Sequence, residues 1–153
     1  MALLGMRELR DSLGRNQRLI GLDPGSRTIG VAVSDVGISL ASPYGTIKRG
    51  KLRDNAAEIV AIARKEGIGG LVVGLPLSMD GSVGPAAQAA RDWALALSDA
   101  TGLPLALWDE RLTSVAANRF LVEQANISRR RRAEAVDRLA AALLLQTAID
   151  SLK

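Results

Sequence analysis

The sequence predicts a single α/β domain with a mixed β-sheet, and two observations carry this prediction. Residues 18–48 alternate apolar side chains with small or polar ones, and turn residues interrupt the pattern, which is typical of a three-stranded antiparallel meander. From residue 51 onward, apolar residues at helical spacing alternate with short apolar runs. Antiparallel strands followed by alternating helices and strands give a mixed sheet with helices on its faces.

The meander begins with "RLIGLD" and "TIGVAVSD", which we predict to pair as an antiparallel hairpin. Pro24 and Gly25 separate the two strands. Proline fixes φ and glycine permits a positive φ, and the central positions of a type II turn need this combination. The segment "SPYGTIKRG" is expected to form a third, shorter strand at the edge of the sheet.

Four helices and two strands are predicted after the meander. Helical spacing marks "KLRDNAAEIVAIARKEGI", "GPAAQAARDWALALSDATG", "TSVAANRFLVEQA" and "RRRAEAVDRLAAALLLQTAIDSL". The short apolar runs "GGLVVGLP" and "LPLALWDE" are predicted strands. Residues 1–17 are polar and weakly periodic, so we expect a flexible N-terminal extension with at most one helical turn, followed by a folded domain at residues 18–153.

The composition restricts the chemistry that this chain can perform. Its 153 residues include no cysteine and no histidine. Ser-His and Cys-His nucleophile pairs, thiolate zinc sites and imidazole metal sites are therefore excluded. Carboxylates, lysine and serine remain, and carboxylates favour hard ions such as Mg²⁺ or Mn²⁺.

Location and partner class follow from the same features. No apolar stretch approaches the roughly 20 residues of a membrane span, and the N-terminus lacks the apolar region of a signal peptide. Together with the missing cysteines, this predicts a soluble, cytoplasmic protein without a membrane partner. The net charge of +4 suits a polyanionic partner such as nucleic acid, although many basic domains bind nothing anionic.

Asp23 is the first candidate for a functional side chain. It shares its strand face with Leu19 and Gly21, so its carboxylate points the way core residues point. The alternative is an ordinary turn aspartate of the hairpin, a position where Asp is common.

Asp137 raises the same question on the last predicted helix. Its face otherwise carries small or apolar residues: Ala133, Ala140, Ala141 and Leu144. Alanines let a helix approach a sheet closely, and if this stripe packs over the Leu19 and Gly21 face, the two aspartates meet at the edge of the core. The alternative is an acidic residue in the first helical turn, where it complements the helix dipole.

The segment "WDERLTS" provides a third candidate. Asp109 and Glu110 end the last predicted strand, with Glu110 on the side of Ala106 and Trp108. Ligands collect at strand ends in open α/β sheets. Acidic residues just before a helix are also ordinary, so a purely structural role stays open.

A cluster of three carboxylates would be tolerable only with a neutralising cation, because the charges repel and their burial is costly. Bound Mg²⁺ ions can support hydrolysis of a phosphodiester without histidine. Guanidinium groups suit phosphate oxygens, although an arginine run is usually a solvated face. The candidate nucleic-acid-binding residues are Arg27, Arg111, Arg129, Arg130, Arg131 and Arg132.

Four segments, in this order, resemble the YqgF (RuvX) family of Holliday-junction-resolvase-like proteins: "GLDPGSRTIGVAVSD", "VVGLPLSMDGS", "WDERLTS" and "AVDRLAAALLLQ". The similarity spans about residues 18–150. It implies a ribonuclease H-like fold, with three antiparallel strands followed by helices alternating with two more strands. It also implies an acidic catalytic and metal-binding site at Asp23, Glu110 and Asp137, bordered by the loop that begins near Gly74 and Pro76.

The function that the resemblance implies is a Mg²⁺- or Mn²⁺-dependent endonuclease acting on structured RNA, with the precursor of 16S rRNA as substrate in ribosome biogenesis. Two alternatives stay open, a resolvase of branched DNA that would act as a homodimer and a non-catalytic nucleic-acid-binding factor. An actin-like nucleotide-binding protein ranks last, because that fold needs two domains and this chain is long enough for one.

Overall fold

A computed structural model describes residues 3–77, 80–109 and 129–153, with the backbone alone for residues 129–137. The helices are α1 (Met6–Ser12), α2 (Leu52–Glu66), α3 (Pro85–Thr101) and α4 (Arg129–Asp150). The strands are β1 (Arg18–Pro24), β2 (Thr28–Ser34), β3 (Ala41–Lys48), β4 (Ile68–Leu75) and β5 (Leu105–Asp109). The predicted helix "TSVAANRFLVEQA" lies outside the described residues.

The five strands form one mixed sheet in the order β3-β2-β1-β4-β5. The meander β1, β2 and β3 is antiparallel, and β4 and β5 continue the sheet parallel to β1. This confirms the predicted mixed sheet. Because β1, β4 and β5 are parallel neighbours, their C-terminal ends lie at one edge of the sheet.

Helices cover both faces of the sheet, and β1 shows how the sequence divides between them. Ile20 and Leu22 belong to an apolar cluster that includes residues of α2 and α3. Leu19 belongs to a second cluster, which includes residues of α1 and α4. Alternation along the strand produces this division, since successive side chains point to opposite faces. Of the helices that the structure describes, none has the length and apolarity needed to cross a lipid bilayer.

The turn between β1 and β2 differs from the predicted type II turn. Pro24 is still in β1, where it pairs with Ile29, and the Gly25 N–H donates to the Thr28 carbonyl at 2.8 Å. The described glycines with positive φ are Gly67, Gly81 and Gly102, so the prediction for Gly25 is wrong. Residue 25 is small for a different reason, because a Cβ there would lie 2.9 Å from the Thr28 carbonyl oxygen.

The N-terminal segment packs on the sheet, where the sequence predicted a flexible extension over residues 1–17. Met6 and Leu9 of α1 are buried in the second apolar cluster. The Leu4 N–H also donates to the Leu105 carbonyl at 2.7 Å, and Leu3 forms a parallel bridge with Leu105. Apolar residues at the start of the chain therefore complete the edge of the sheet beside β5 and add to its core.

Helix α4 runs antiparallel to β1 across the second face. Near its C-terminal end, the Gln146 side chain accepts a hydrogen bond from the Ala41 N–H at 2.8 Å and donates to the Ser39 carbonyl at 3.0 Å. Ala41 pairs with Ser34, whose hydroxyl accepts from the Leu19 N–H at 2.9 Å. The C-terminal half of α4 thus lies at the start of β1, and its N-terminal half extends toward the end of β1.

The contact between α4 and β1 is close. A Cβ at Gly21 would lie 2.8 Å from Leu145 Cβ and 3.3 Å from the Ala141 carbonyl oxygen. Ala141 and Leu145 are fully buried in the same cluster as Leu19. The predicted packing of the stripe over the Leu19 and Gly21 face is confirmed for Ala141 and Leu144, and the Ala133 side chain lies outside the description.

Candidate functional site at the C-terminal edge of the sheet

Asp23 occupies the penultimate position of β1 and is half-buried. It pairs with Gly30 in β2, and Gly30 pairs with Thr46 in β3. Strand alternation puts Asp23 on the face of Leu19 and Gly21, which is the face that α4 covers. The end of β1 pairs with β2, and the middle of β1 packs against α4. Both contacts restrict the backbone that carries the Asp23 carboxylate.

The end of β5 lies at the same edge of the sheet. Asp109 is its last residue and pairs with Leu75 at the end of β4. Ala106 and Trp108 contact the cluster beneath α4. Because β4 separates β1 from β5, the two strand ends are about 10 Å apart, or two strand spacings. Glu110 follows Asp109 directly and lies outside the described residues.

Asp137 belongs to α4, with only its backbone described. The contact between Gly21 and Ala141 allows the position of residue 137 along α4 to be compared with the position of Asp23 along β1. Asp23 is two residues beyond Gly21, about 6.6 Å along β1. Residue 137 is four residues before Ala141, about 6 Å along α4 toward the same edge. Residue 137 thus lies on the N-terminal side of this contact, toward the same edge of the sheet as Asp23.

The donor set suits a hard divalent cation. All three predicted ligands are carboxylates, and the chain has no histidine or cysteine that would favour a softer metal. The described side chains contain no group of three or more potential metal ligands. Glu110 and the Asp137 side chain lie outside that description, so Asp23 is the one predicted ligand whose side chain is included.

The predicted phosphate-binding arginines are only partly described. Arg27 is exposed in the turn between β1 and β2, three residues beyond the end of β1. Arg111 lies outside the described residues. The run that opens α4 is described by its backbone alone: Arg129, Arg130, Arg131 and Arg132.

Arg49 is a residue of this edge that the sequence analysis missed. Its Nη1 donates to the Gly25 carbonyl at 2.6 Å, and its backbone N–H donates to the Arg27 carbonyl at 2.9 Å. The guanidinium carbon lies 5.4 Å from the centroid of the Trp93 ring in α3, within cation–π range. Arg49 thus links the turn after Asp23 to a helix on the opposite face. The two partners of Arg49 are distant from it in sequence, so no local sequence pattern marked it as a residue of this edge.

The loop after β4 begins at Pro76 and leaves the sheet between the ends of β1 and β5, whereas Gly74 is within β4. In its described part, Asp80 Oδ1 accepts a hydrogen bond from the Ser82 N–H at 2.9 Å, and Gly81 has a φ of 86°. A residue with a side chain would be strained at that φ. Residues 80–82 of this loop therefore have a defined local geometry.

Comparison with known proteins identifies relatives across nearly the whole chain. The RuvX family model, described as Holliday junction resolvase, matches residues 17–151. A protein of Gluconacetobacter diazotrophicus named "Putative pre-16S rRNA nuclease" is 62% identical over 151 residues, which is 99% of this chain and 98% of the relative. A protein of Acidiphilium cryptum with the same name is 60% identical over 152 residues, covering 99% and 96% of the two chains.

A solved structure supports the fold. The structure described as T. thermophilus RuvC in complex with Holliday junction substrate covers 89% of this chain and 96% of its own, with a TM-score of 0.54 and 14% identity. At this identity the likeness concerns the fold alone. It confirms the ribonuclease H-like architecture that the sequence motifs implied.

Proposed function

Because this chain belongs to the RuvX family, we propose that it is an endonuclease that hydrolyses phosphodiester bonds in structured RNA, with the precursor of 16S rRNA as its substrate. The names of the most similar relatives support this substrate. The observation that supports the proposal is that β1 and β5 end at one edge of the sheet, toward which the N-terminal half of α4 also extends. Glu110 directly follows the last residue of β5 in the sequence.

In this proposal, Asp23, Glu110 and Asp137 hold Mg²⁺ or Mn²⁺. The bound ion supplies charge stabilisation at the phosphate and lowers the pKa of a water molecule. The protein contributes rigidity, since Asp23 is on a strand with neighbours on both sides and a helix packed beneath it. Carboxylates fixed in this way would hold the ion in place, so the site would need no reorganisation when charge develops on the phosphate oxygens.

The arginines have a separate role in the proposal. Arg27, in the turn three residues beyond β1, would contact a phosphate next to the one being cleaved. Arg111 and the run at the start of α4 would bind further phosphates: Arg129, Arg130, Arg131 and Arg132. With one phenylalanine, one tyrosine and two tryptophans in the chain, stacking on bases contributes little, so backbone charge and RNA shape dominate recognition.

The test is cleavage of a precursor 16S rRNA transcript in MgCl₂ by the wild-type protein and by Asp23→Asn. We expect the substitution to abolish cleavage while the thermal transition remains cooperative. Asp54→Asn, which alters an exposed aspartate on α2, serves as the control and should cleave normally. Cleavage by Asp23→Asn at the wild-type rate would contradict the proposed site.

Branched DNA is the second candidate substrate, and the description of the family model favours it. A homodimer is part of this alternative, since two clefts in fixed relation would suit the symmetry of a four-way junction. Parallel assays on a junction and on the rRNA precursor separate the two substrates. Binding without cleavage of either substrate would instead support a non-catalytic factor.

A further inference from the structure

We infer that Arg27, Lys48 and Lys51 form a binding surface for the phosphodiester backbone of the RNA, extending from Asp23 across the β2 and β3 side of the sheet. The inference rests on the proposed function and adds a path for the substrate strand. We call these three residues the basic edge. Lys48 and Lys51 were not among the candidate residues of the sequence analysis.

Strand register places Lys48 near Asp23 and on the same face. Asp23, Gly30 and Thr46 form one row across three strands, and Lys48 is two residues beyond Thr46 in β3. Two strand spacings of about 4.8 Å and two residues of about 3.3 Å separate the backbones by about 12 Å. A nucleic-acid strand carries one charge per about 3.4 Å of its axis, so this distance spans three or four nucleotides.

The backbone beneath the basic edge is held in place by buried side chains. Asn55 is 1% exposed, and its amide nitrogen donates to the Lys48 carbonyl at 3.0 Å. Its amide oxygen accepts from the Gly50 N–H at 3.0 Å. Arg49, between the two lysines, faces inward to Gly25 and the Trp93 ring. A preformed loop reduces the ordering cost of binding.

The charge of the basic edge is not neutralised within the described part of the chain. There, no carboxylate forms a salt bridge with Arg27, Lys48 or Lys51, and all three side chains are exposed. Arg53 is excluded from the surface, since its Nε lies 3.6 Å from Asp54 Oδ1. Cations grouped without counter-charges attract a polyanion and bind its phosphates.

The test compares two double variants that remove the same charge. Lys48→Gln/Lys51→Gln alters the basic edge, and Arg7→Gln/Arg15→Gln removes two exposed cations from the segment that precedes β1. Binding of a fluorescein-labelled RNA hairpin with single-stranded flanks is followed by anisotropy over a KCl series, in EDTA to prevent cleavage. Melting curves verify that both variants are folded.

We expect the Lys48/Lys51 variant to bind about tenfold more weakly, and its slope of log Kd against log salt to fall by about 1 to 2. The Arg7/Arg15 variant should retain the wild-type Kd and slope. An equal loss of RNA affinity in both variants, or an unchanged affinity in both, would overturn the inference. If the Lys48/Lys51 variant binds a labelled four-way DNA junction more weakly than wild type but binds the hairpin with the wild-type Kd, RNA is contradicted as the ligand.

The same experiment separates this inference from the proposed function. If the wild-type protein binds the hairpin through the basic edge but cleaves no RNA in MgCl₂, the proposed catalytic activity fails and the surface stands. If the wild-type protein cleaves RNA and the Lys48/Lys51 variant does so with an unchanged KM, the surface fails and the nuclease assignment stands.

Discussion

Gly21 and Leu145 are so close that a β-carbon at residue 21 would lie 2.8 Å from the Cβ of Leu145. The Ala141 carbonyl oxygen would be 3.3 Å from the same carbon. Strand β1 and helix α4 are therefore closer to each other than they could be if residue 21 had a side chain. This contact fixes where the middle of α4 lies against β1.

Gly21→Ala should destabilise the fold by about 1–3 kcal/mol, because the added methyl overpacks a core that cannot yield without moving the helix backbone. Urea unfolding measures the change. Gly45→Ala is the matched control, since a Cβ at this β3 position meets nothing within 4 Å. Its effect should remain within about 0.5 kcal/mol. Equal stability of the two variants would show that α4 can shift freely.

Asn55→Ala should lower the free energy of unfolding by about 1–3 kcal/mol, because it leaves the Lys48 carbonyl and the Gly50 N–H without their buried partner. For a chain of this size, each kcal/mol lowers Tm by about 2–4 °C. Gln88→Ala removes an exposed hydrogen bond to Asp92 and should leave Tm almost unchanged. A Tm for Asn55→Ala equal to that of Gln88→Ala would refute the structural role of Asn55.

Leu9→Ala tests whether α1 is part of the folded core. Leu9 is fully buried, and a Cβ at Gly70 would lie 2.7 Å from Leu9 Cδ1. Truncating a leucine in such a site costs about 2–5 kcal/mol. Leu40→Ala, at a 63% exposed leucine, should cost far less. A freely moving extension would instead make both substitutions neutral in thermal melts.

Asp35 should make stability depend on acid pH. The Ser39 and Leu40 backbone N–H groups donate to Asp35 Oδ1 at 2.7 and 3.0 Å, and these bonds hold the pKa of Asp35 below its ordinary value of 3.8. A carboxyl group with a lowered folded pKa stabilises the protein above its unfolded pKa, and the gain is lost as pH falls through the folded pKa.

Asp35→Asn should therefore be less stable than wild type at pH 7, by on the order of 1 kcal/mol for the weakened hydrogen bonds. The difference should shrink below pH 3.8 as the wild-type carboxyl group becomes protonated. Urea unfolding of both proteins across this range measures it. A difference that does not change with pH would exclude the carboxylate as the cause.

Glu110→Gln should lower kcat by about a hundredfold or more, since a lost metal ligand removes several kcal/mol of transition-state stabilisation. Asp109→Asn is the adjacent control, because strand alternation directs residue 109 to the face opposite that of Trp108. The double variant Asp23→Asn/Glu110→Gln should be no slower than Asp23→Asn alone, as expected for residues that act as a unit. A kcat for Glu110→Gln equal to that for Asp109→Asn would remove Glu110 from the site.

The sequence was most informative where local pattern and chain order determine the structure. Alternation along β1 and the alanine stripe of α4 predicted which faces meet, and both are observed. The inward position of Arg49 could not be predicted, because Gly25 and Trp93 are distant from it in sequence and become its partners only in the folded chain. The turn geometry at Gly25 depends on the approach of Thr28, which overrides the local Pro-Gly preference.

The packing of the first strand against the last helix also has a consequence for biosynthesis. A nascent chain released or stalled before residue 129 lacks α4, which together with α1 covers the sheet face of Leu19, Ala32 and Val72. Such a fragment exposes an apolar sheet face and contains no Asp137. The cutting activity proposed for this chain would thus be withheld until translation has finished, which prevents a half-made enzyme from attacking RNA on the ribosome that is producing it.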